Sequence, residues 1–467
     1  MGTSFPSIFN NVVGPIMRGP SSSHTAAAVR IGLLARRLLD EQPRQVVATF
    51  DPDGSLASTY RGQGSAMGLA AGLLQMDISD SRMVDAERIC REQDIEVLYR
   101  IAKLAISHPN TYHLAVKGAG GAEISLVALS TGGGIIRLVE LNGEAVVDDS
   151  IYVHPLLPIQ PQGGDSLPFA TPEELENLLA GQGGSLSRWA SAYEAALGKI
   201  DVQRVVELGA EHFTVMKDSV ASGLAGTNYN DRILPRQSDR IASAQQQGLL
   251  IPSKLVNSII ASVTAVMETK SAMGTIAAAP TAGSCGTLAG TLTAVAERVD
   301  GGAESMAQPV LAAGLIGVFI ARAGGFAAEE GGCQYECGSA SGMTAAALVE
   351  LMGGDGQTAM NAASMAMQNT MGLICDPVAD RVEVPCLGKN IMAALNAVAA
   401  ANMALAGYAH VIPLGQVIQA MREVGEGMDK RFCCTCKGGL STTPEARRIH
   451  ASMNAATPSG LDTTRGG

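Results

Sequence analysis

Two kinds of hydrophobic pattern divide the chain. In the first third, residues 26–39 and 64–74 have apolar positions at helical spacing. Short runs with strand character separate or follow them, at residues 45–51, 112–117, 124–130 and 135–141. Helices and strands are therefore mixed up to about residue 150, and this mixture predicts an N-terminal α+β domain.

The pattern changes after this point. Residues 154–168 are rich in Pro, Gly and Gln, as in a linker, and Thr171-Pro172-Glu173-Glu174 combines the N-cap, proline and early acids of a helix start. From there the apolar positions follow helical spacing without a second strand pattern. We expect four segments: an α+β domain at 1–150, a linker with a connecting helix at 151–200, a larger, mostly all-α domain at 201–455, and a flexible tail at 456–467.

Two long apolar runs, 306–326 and 391–414, raise the alternative of a membrane protein. Polar residues interrupt both runs, Gln308 and Arg322 in the first and His410 in the second, and no Lys/Arg clusters flank them. Small residues also dominate over Leu and Phe. These features favour buried helices of a soluble domain, so we expect no membrane partner.

Composition narrows the range of functions. The 467 residues carry a formal net charge of −11, which argues against nucleic acid as a partner because phosphate binding needs clustered Lys and Arg. The first residues lack the charged-then-apolar layout of a signal peptide. Nine cysteines without such a signal indicate a reducing compartment, where thiols serve metal binding or catalysis. We therefore expect a cytoplasmic protein.

A hydroxyl-rich turn precedes the first predicted helix. Ser21, Ser22 and Ser23 stand shortly before residues 26–39 and are typical N-cap residues. A helix start also offers free backbone N–H groups to a carboxylate or phosphate. Capping alone and anion binding explain the serines equally well, but His24 favours anion binding, because a titratable imidazole beside an anion is useful chemistry.

A second polar loop interrupts the helical region at residues 280–287. We expect one helix to stop at Pro280 and another to begin near Thr287. Thr281 and Ser284, together with the glycine N–H groups of the loop, could grip a carboxylate. A capped helix break would use the same residues, so both interpretations stay open.

Cysteines and acidic side chains gather at residues 329–340, directly after an apolar run. Cys333 lies there, and Cys375 and Cys386 follow in similarly irregular surroundings. Their long spacing is weak support for a metal site, since a single buried cysteine is more often a small hydrophobic residue. Convergence of all three would give an iron–sulfur site, and three thiolates on a four-iron cluster leave one iron open as a Lewis acid. One further cysteine group lacks the paired spacing of a zinc site: Cys433, Cys434 and Cys436.

The order of these motifs resembles that of the bacterial iron–sulfur L-serine dehydratases. The resemblance runs through nearly the whole chain, except for about residues 145–200. In the N-terminal part it is carried by Gly19-Pro20-Ser21-Ser22-Ser23-His24-Thr25, His108-Pro109-Asn110-Thr111 and Gly132-Gly133-Gly134. In the helical part it is carried by residues 273–284, 330–341, 375–378 and 382–386 and by Gly438-Gly439-Leu440.

The resemblance implies an enzyme without pyridoxal phosphate that eliminates water from L-serine, giving an enamine that hydrolyses to pyruvate and ammonia. It implies a [4Fe–4S] cluster in the helical domain, bound by Cys333, Cys375 and Cys386, with the open iron on the substrate hydroxyl. It makes His24 the catalytic residue, reaching the cluster from the α+β domain, and by analogy it makes the enzyme a homodimer. Substrate contacts are implied for Ser21, Ser22, Ser23, Thr25, Gln63, Asn110, Thr111, Thr281 and Ser284.

One segment departs from the family pattern. The family has Lys-Gly-His-Gly-Thr-Asp where this chain has Arg61-Gly62-Gln63-Gly64-Ser65-Ala66. A second histidine is therefore replaced by Gln63, which forms hydrogen bonds but cannot carry a proton. Cys337 also stands where valine is usual. These differences leave two alternatives: a dehydratase for a different hydroxy acid, and a non-catalytic ligand-binding or sensory homologue.

Overall fold

The computed structural model describes residues 5–106, 108–161, 167–229, 232–299 and 302–456. The predicted tail, residues 456–467, lies outside the described residues from residue 457 onward. In the described ranges the chain has an N-terminal region with a β-sheet and a C-terminal region built of helices, as the hydrophobic pattern predicts. The boundaries proposed between domains stay a prediction.

In the described part of the chain the strands are β1 Ile16–Arg18, β2 Pro43–Phe50, β3 Glu96–Ile101, β4 Thr111–Gly118, β5 Glu123–Gly132, β6 Ile135–Leu141, β7 Glu144–Ala145 and β8 Thr275–Ala277. Six of them form one sheet in the order β3-β2-β4-β5-β6-β7. β2 and β3 pair in parallel, and the other neighbouring pairs are antiparallel. Alternating residues of the central strands, such as Val46, Leu114 and Leu126, belong to the buried core on one face of this sheet.

The described α-helices are, in chain order, α1 Ala27–Leu39, α2 Leu56–Thr59, α3 Ser65–Leu73, α4 Ala86–Glu92, α5 Ser150–Val153, α6 Pro172–Gln182, α7 Leu186–Gly198, α8 Val202–Ala225, α9 Arg240–Gln246, α10 Lys254–Ser271, α11 Cys285–Ala296, α12 Ala303–Ala323, α13 Ala328–Gly331, α14 Ser339–Leu351, α15 Gly356–Gln368, α16 Cys386–Leu405, α17 Leu414–Glu426 and α18 Pro444–Ala456. The described residues also contain π-helical turns at Ile8–Val12, Ser22–Ala26 and Gln334–Gly338. The last two lie beside residues that the sequence singles out.

The helical region begins as the sequence predicts. Thr171 caps α6, where its hydroxyl oxygen accepts the Glu174 backbone N–H at 3.2 Å and Pro172 occupies the first turn. α12 lies at the centre of this region and packs against α7, α8 and α14. By length and composition Glu304–Ala323 could cross a membrane, but 78% of its apolar window is buried inside the fold. It is therefore a core helix, in line with the prediction from its polar interruptions.

The first residues of the chain pack inside the helical region. Ile8 and Val12 belong to the helical core, where they lie against Gly314 and Gly317 of α12. A Cβ atom on either glycine would collide with these side chains. The two glycines therefore let the N-terminal turn approach the backbone of α12 closely.

One strand lies where the sequence predicts helix. α10 ends at Ser271 rather than at Pro280, and β8 follows, pairing antiparallel with β1. Met273 has a left-handed φ of 61°, which turns the chain out of the helical path so that β8 finds its hydrogen-bond partner in β1. A three-residue strand offers too little alternation to be recognised in a sequence. The next helix, α11, begins at Cys285, close to its predicted start near Thr287.

Candidate active site

His24 is fully buried in a turn just before α1. Ser21 is the N-cap of this turn, Ser22–Ala26, and its hydroxyl oxygen accepts the His24 backbone N–H at 3.3 Å. The capping role predicted for the serines is thus confirmed for Ser21. The other two serines make contacts outside the turn.

These two serines connect the turn to the helical region. Ser22 Oγ accepts the Ala282 backbone N–H at 3.3 Å, and Ser23 Oγ donates to Glu329 Oε1 at 2.7 Å. Ser23 and Glu329 are 306 positions apart in the chain. Because Glu329 is only 4% exposed, its hydrogen bond from Ser23 is charge-assisted and shielded from water.

Hydrogen bonds around the His24 ring define its neutral form. Thr59 Oγ1 donates to the Ser55 carbonyl at 2.7 Å, so it accepts a hydrogen from His24 Nε2, which lies 2.9 Å away. Nε2 then carries the proton and Nδ1 is the basic atom. Nδ1 lies 3.1 Å from Ser23 Oγ and 3.4 Å from Glu329 Oε1.

The surroundings of this ring favour a base that is neutral and can become charged. Burial lowers the pKa of His24, because the imidazolium is poorly solvated there, and the charge of Glu329 partly offsets this effect. Ser21 Oγ, also 3.1 Å from Nδ1, supplies the hydrogen for that nitrogen, since the Ser23 hydroxyl hydrogen goes to Glu329. Nδ1 can therefore accept a proton that the neighbouring carboxylate stabilises.

Buried thiols gather around Cys333 in the helical region. Its thiol contacts those of Cys337 and Cys375, and the Cys375 thiol also contacts that of Cys434. Cys386, at the start of α16, lies near enough for its charge to interact with that of Cys333. The fold thus puts two of the three cysteines that the sequence singles out, Cys333 and Cys375, in contact, with Cys386 nearby, and it adds Cys337 and Cys434.

Cys333 is the thiol most disposed to lose its proton. Hydrogen bonds from the Cys337 and Cys375 thiols lower the pKa of Cys333, and the Lys389 ammonium adds to this effect. Lys389 Nζ lies 3.7 Å from Cys333 Sγ and is held by Asp376 Oδ1 at 2.8 Å. A thiolate, the form that binds a metal, is therefore favoured at Cys333.

This set of donors fits an iron–sulfur group. Several buried thiols, with one ammonium beside them, provide the soft, deprotonable ligands that iron–sulfur clusters use. Within the described residues, no group of three or more His, Cys, Asp and Glu side chains has the arrangement to hold a single metal ion. A cluster binds its thiolates through separate irons, so its ligands lie further apart than those of one ion.

Cys434 connects the thiols with the N-terminal region. Its backbone N–H donates to the Cys375 carbonyl at 3.0 Å, which holds the two cysteines side by side. The Gln63 amide Nε2 lies 3.5 Å from Cys434 Sγ, and Gln63 is buried. The sequence assigns no role to Cys434, because its spacing to Cys433 and Cys436 does not reveal a contact with Cys375.

Two of the predicted substrate contacts use their hydroxyls within the N-terminal region. Thr25 Oγ1 donates to the Gln63 carbonyl at 2.9 Å, and Thr111 Oγ1 donates to the His108 carbonyl at 2.9 Å. Both bonds fix the backbone next to residues of the site. Direct contact of Thr25 or Thr111 with a substrate stays a prediction.

The predicted carboxylate grip of the second loop is a capping box in the structure. Thr281 Oγ1 accepts the Ser284 N–H at 3.3 Å, and the Ser284 hydroxyl reaches back to the Thr281 N–H. Thr281 Oγ1 also donates to Glu336 Oε1 at 2.9 Å. The capping interpretation is therefore confirmed, and contact of Thr281 and Ser284 with a substrate carboxylate stays a prediction.

Two buried side chains at the site have polar atoms without a hydrogen-bond partner among the described residues. They are Asn110, for both Nδ2 and Oδ1, and Glu329, for Oε2. The segment before Asn110 lies beside this acidic stretch, since His108 Nε2 is 3.3 Å from Glu330 Oε1. The sequence predicts a role for Asn110 but not for Glu329, although the density of acids at residues 329–340 was a usable signal.

The chain matches proteins of one family. Residues 181–441 match the family model of the serine dehydratase alpha chain. Over 91% of its length the chain is 30% identical to the L-serine dehydratase of Streptomyces coelicolor and to L-serine dehydratase 2 of Escherichia coli, and it covers 96% of each. It is 38% identical to the probable L-serine dehydratase, alpha chain, of Bacillus subtilis, over 54% of this chain and 84% of that protein.

The part of the chain matched by the family model contains Cys333, Cys375 and Cys386 as well as Glu329. The two full-length relatives extend the match well beyond the range of the family model, to 91% of this chain. The chain therefore belongs to the L-serine dehydratase family, as the order of its motifs predicts.

Proposed function

We propose that this chain is an iron–sulfur lyase that removes water from L-serine or a related β-hydroxy amino acid. The products are pyruvate, or the corresponding keto acid, and ammonia. One observation carries the proposal: His24, a buried neutral base, is joined through Ser23 to Glu329, four positions before the thiol of Cys333. Relatives named L-serine dehydratase support the choice of substrate class.

The thiols of Cys333, Cys375 and Cys386 would hold a [4Fe–4S] cluster. When bound, such a cluster supplies a Lewis-acidic iron that assists departure of the substrate hydroxyl. Lys389 supports binding, because its ammonium lies 3.7 Å from Cys333 Sγ and favours the thiolate. Cys434, in contact with Cys375, places an additional sulfur at the edge of the same site.

His24 would act as the general base of the elimination. Its Nδ1 takes the proton from the substrate Cα while the hydroxyl leaves the β-carbon, so that water is lost overall. The resulting enamine tautomerises to an imine, which water hydrolyses to the keto acid and ammonia. Glu329, 3.4 Å from Nδ1, stabilises the imidazolium that forms, and the hydrogen bond from Nε2 to Thr59 holds the ring in place.

The substrate would lie between the turn and the thiols. The predicted contacts at Ser21–Thr25, Asn110 and Gln63 all come from the N-terminal region, whereas the thiols come from the helical region. A site formed between two regions can bring a base and a metal to opposite groups of one small molecule.

Anaerobic preparation of the protein tests this proposal. Iron and sulfide are quantified, and L-serine and other hydroxy amino acids are assayed for ammonia and a keto acid. Protein with intact cysteines but without iron or sulfide would contradict the iron–sulfur assignment. Iron-loaded protein without turnover of any of these substrates would instead favour the ligand-binding homologue. The observation behind this alternative is Gln63, which stands where the family has a histidine.

A homodimer and a cytoplasmic location stay predictions of the same proposal. Light scattering on the anaerobic protein measures the first, and fractionation of the source cells measures the second. Neither property enters the chemistry derived from His24 and the thiols.

A further inference from the structure

We propose that Glu329 Oε2 accepts the α-ammonium group of the substrate, so that the site selects hydroxy acids that carry a cationic amino group. This inference rests on the proposed function and deepens it, since it assigns the recognition of one substrate group to one atom. It predicts that the site distinguishes L-alanine from propanoate, two molecules that differ only in the ammonium.

The hydrogen bonds of Glu329 are the first support. Its Oε1 accepts from Ser23 Oγ at 2.7 Å and lies 3.4 Å from His24 Nδ1. Its Oε2 has no partner within the described residues, although the side chain is only 3% exposed. A carboxylate has room for about four hydrogen bonds, and burying one of its oxygens without a partner is costly. Such an atom at a candidate active site points to a ligand.

The position of this carboxylate is the second support. Its Oε1 lies beside the nitrogen of His24 that takes the proton from the substrate Cα. The ammonium group is bonded to that same Cα. An ammonium on Oε2 would therefore bring the Cα–H bond next to His24, which joins recognition and catalysis in one geometry.

Asn110 supplies a matching partner for the other end of the substrate. The Ser130 backbone N–H donates to the backbone carbonyl of Asn110 at 3.0 Å, and Ser130 Oγ donates to the backbone carbonyl of Ser23 at 2.7 Å. Asn110 is thereby linked to Ser23, the residue that binds Glu329. The unpaired donor Nδ2 of Asn110 suits a carboxylate, and the unpaired acceptor of Glu329 suits an ammonium.

The charges around Glu329 agree with this assignment. In the described part of the chain, no Lys or Arg nitrogen forms an ion pair with Glu329, and His24 is its partner within 4.0 Å. Among the described residues, Glu268 is the other carboxylate with a buried oxygen that lacks a partner, but it lines a separate cavity together with Arg232. While His24 is neutral, the described residues therefore provide no cation for Glu329, and a substrate ammonium can supply one.

A purely positioning role for Glu329 is the competing explanation. In that case the carboxylate would only orient Ser23 and His24, and its loss would lower kcat without changing affinity for the ammonium. Binding of molecules that cannot lose water separates the two roles. L-Alanine and propanoate have no hydroxyl group, so their dissociation constants report recognition alone.

The experiment is calorimetric titration of the anaerobic, iron-loaded protein with L-alanine and with propanoate, for the wild type and Glu329→Gln. Glutamine keeps the shape of the side chain but removes its charge. We expect L-alanine to bind about 10- to 100-fold more weakly to the variant, because a charge-assisted hydrogen bond is lost. Propanoate should bind both proteins within about twofold.

Two further variants control for charge and folding. Glu330→Gln removes the neighbouring carboxylate, which is only partly buried, and should leave the ratio of the two affinities unchanged. Glu329→Asp keeps the charge on a shorter side chain and should retain part of the discrimination. If Glu329→Gln does not fold, Glu329→Asp decides, since the shorter side chain should lower the preference for L-alanine over propanoate, and an unchanged preference would overturn the inference.

Equal weakening of both ligands in Glu329→Gln would overturn the inference, as would failure of the wild type to distinguish them. These results do not depend on turnover. Ammonia release from L-serine without discrimination would therefore refute the role of Glu329 alone. Discrimination without ammonia release from any hydroxy amino acid would refute the proposed lyase and leave the ammonium site standing.

Discussion

The two sides of the candidate site are held by different kinds of contact. The imidazole side, Ser21–Thr25 with Thr59, is a closed network in which both ring nitrogens of His24 have partners from the protein. Each hydroxyl around the ring has a defined role as donor or acceptor. This side is therefore preorganised by folding alone.

The thiol side consists of Cys333, Cys375, Cys386 and Cys434, which are all buried. Cys333 and Cys375 have other thiols as their nearest side-chain partners, together with the Lys389 ammonium at Cys333. Thiols are weak hydrogen-bond donors and acceptors, so their contacts with one another stabilise the fold little. Their arrangement fits a set of metal ligands. We therefore predict that the base and the proposed metal ligands can be removed separately, each without loss of the other.

The largest effect is expected for Cys375→Ser. A hydroxyl is a poor substitute for a thiolate on iron, so the variant should lose most of its iron and sulfide. Ammonia release from L-serine should fall by about 10³-fold or more, since several kcal/mol of Lewis-acid assistance disappear. Iron and sulfide analysis measures the loss of the cluster, and the ammonia assay measures the fall in turnover. Far-UV circular dichroism should stay unchanged, because the imidazole side does not depend on this thiol.

Cys90→Ser is the matched control for this substitution. Cys90 is also buried, but it packs near α3, where its thiol lies 3.7 Å from the Ala70 carbonyl. Its loss should leave the iron content and turnover as in the wild type. Full iron content in Cys375→Ser would contradict the assignment of Cys375 as a ligand.

His24→Gln should remove the base on the imidazole side and leave the thiol side intact. Turnover should fall by about 10²- to 10⁴-fold, the usual contribution of a general base, while the iron content stays that of the wild type. The control is His113→Gln, which changes a histidine of β4 that lies 3.2 Å from Ser125 Oγ. Simultaneous loss of iron in His24→Gln would show that the two sides are not independent.

The same histidine should set the acid limb of the pH profile. Burial lowers the pKa of His24 below its ordinary value of 6.5, and the base works only when it is neutral. As the pH falls, kcat/KM should therefore hold through pH 6.5 and decline only below it. In His24→Gln the residual activity should lack this limb. An acid limb above pH 6.5 would contradict the neutral, desolvated environment of the ring.

Local motifs in the sequence were sufficient to predict much of each side, but not the link between them. The hydroxyl-rich turn at His24 and the cysteines at Cys333, Cys375 and Cys386 stand in short stretches of unusual composition. The bond between Ser23 and Glu329 spans 306 positions. No local periodicity reports such a contact, because it depends on how the two regions pack.

The secondary structure was also predictable where it depends on local sequence and not where it depends on distant contacts. The helix α1 and the strands β2, β4, β5 and β6 were predicted from periodicity close to their observed ranges. The short strand β8 was not, because its extended shape is imposed by β1, which lies more than 250 positions earlier. Cys434 was missed for a similar reason, since its neighbours Cys375 and Gln63 are remote in the sequence.

Gln63 contacts both sides of the site, through Thr25 and through Cys434. Of the substitutions proposed, Gln63→His should have the smallest effect. The amide Nε2 of Gln63 lies 3.5 Å from Cys434 Sγ. Histidine keeps an N–H donor for this contact and can also carry a proton, so turnover of L-serine should rise by about 3- to 10-fold. Gln63→Met, which keeps the size but removes the donor, should instead lower it by a few fold. A neutral or harmful effect of Gln63→His would show that the amide suits a substrate other than L-serine, and that the contact between the two sides helps to select it.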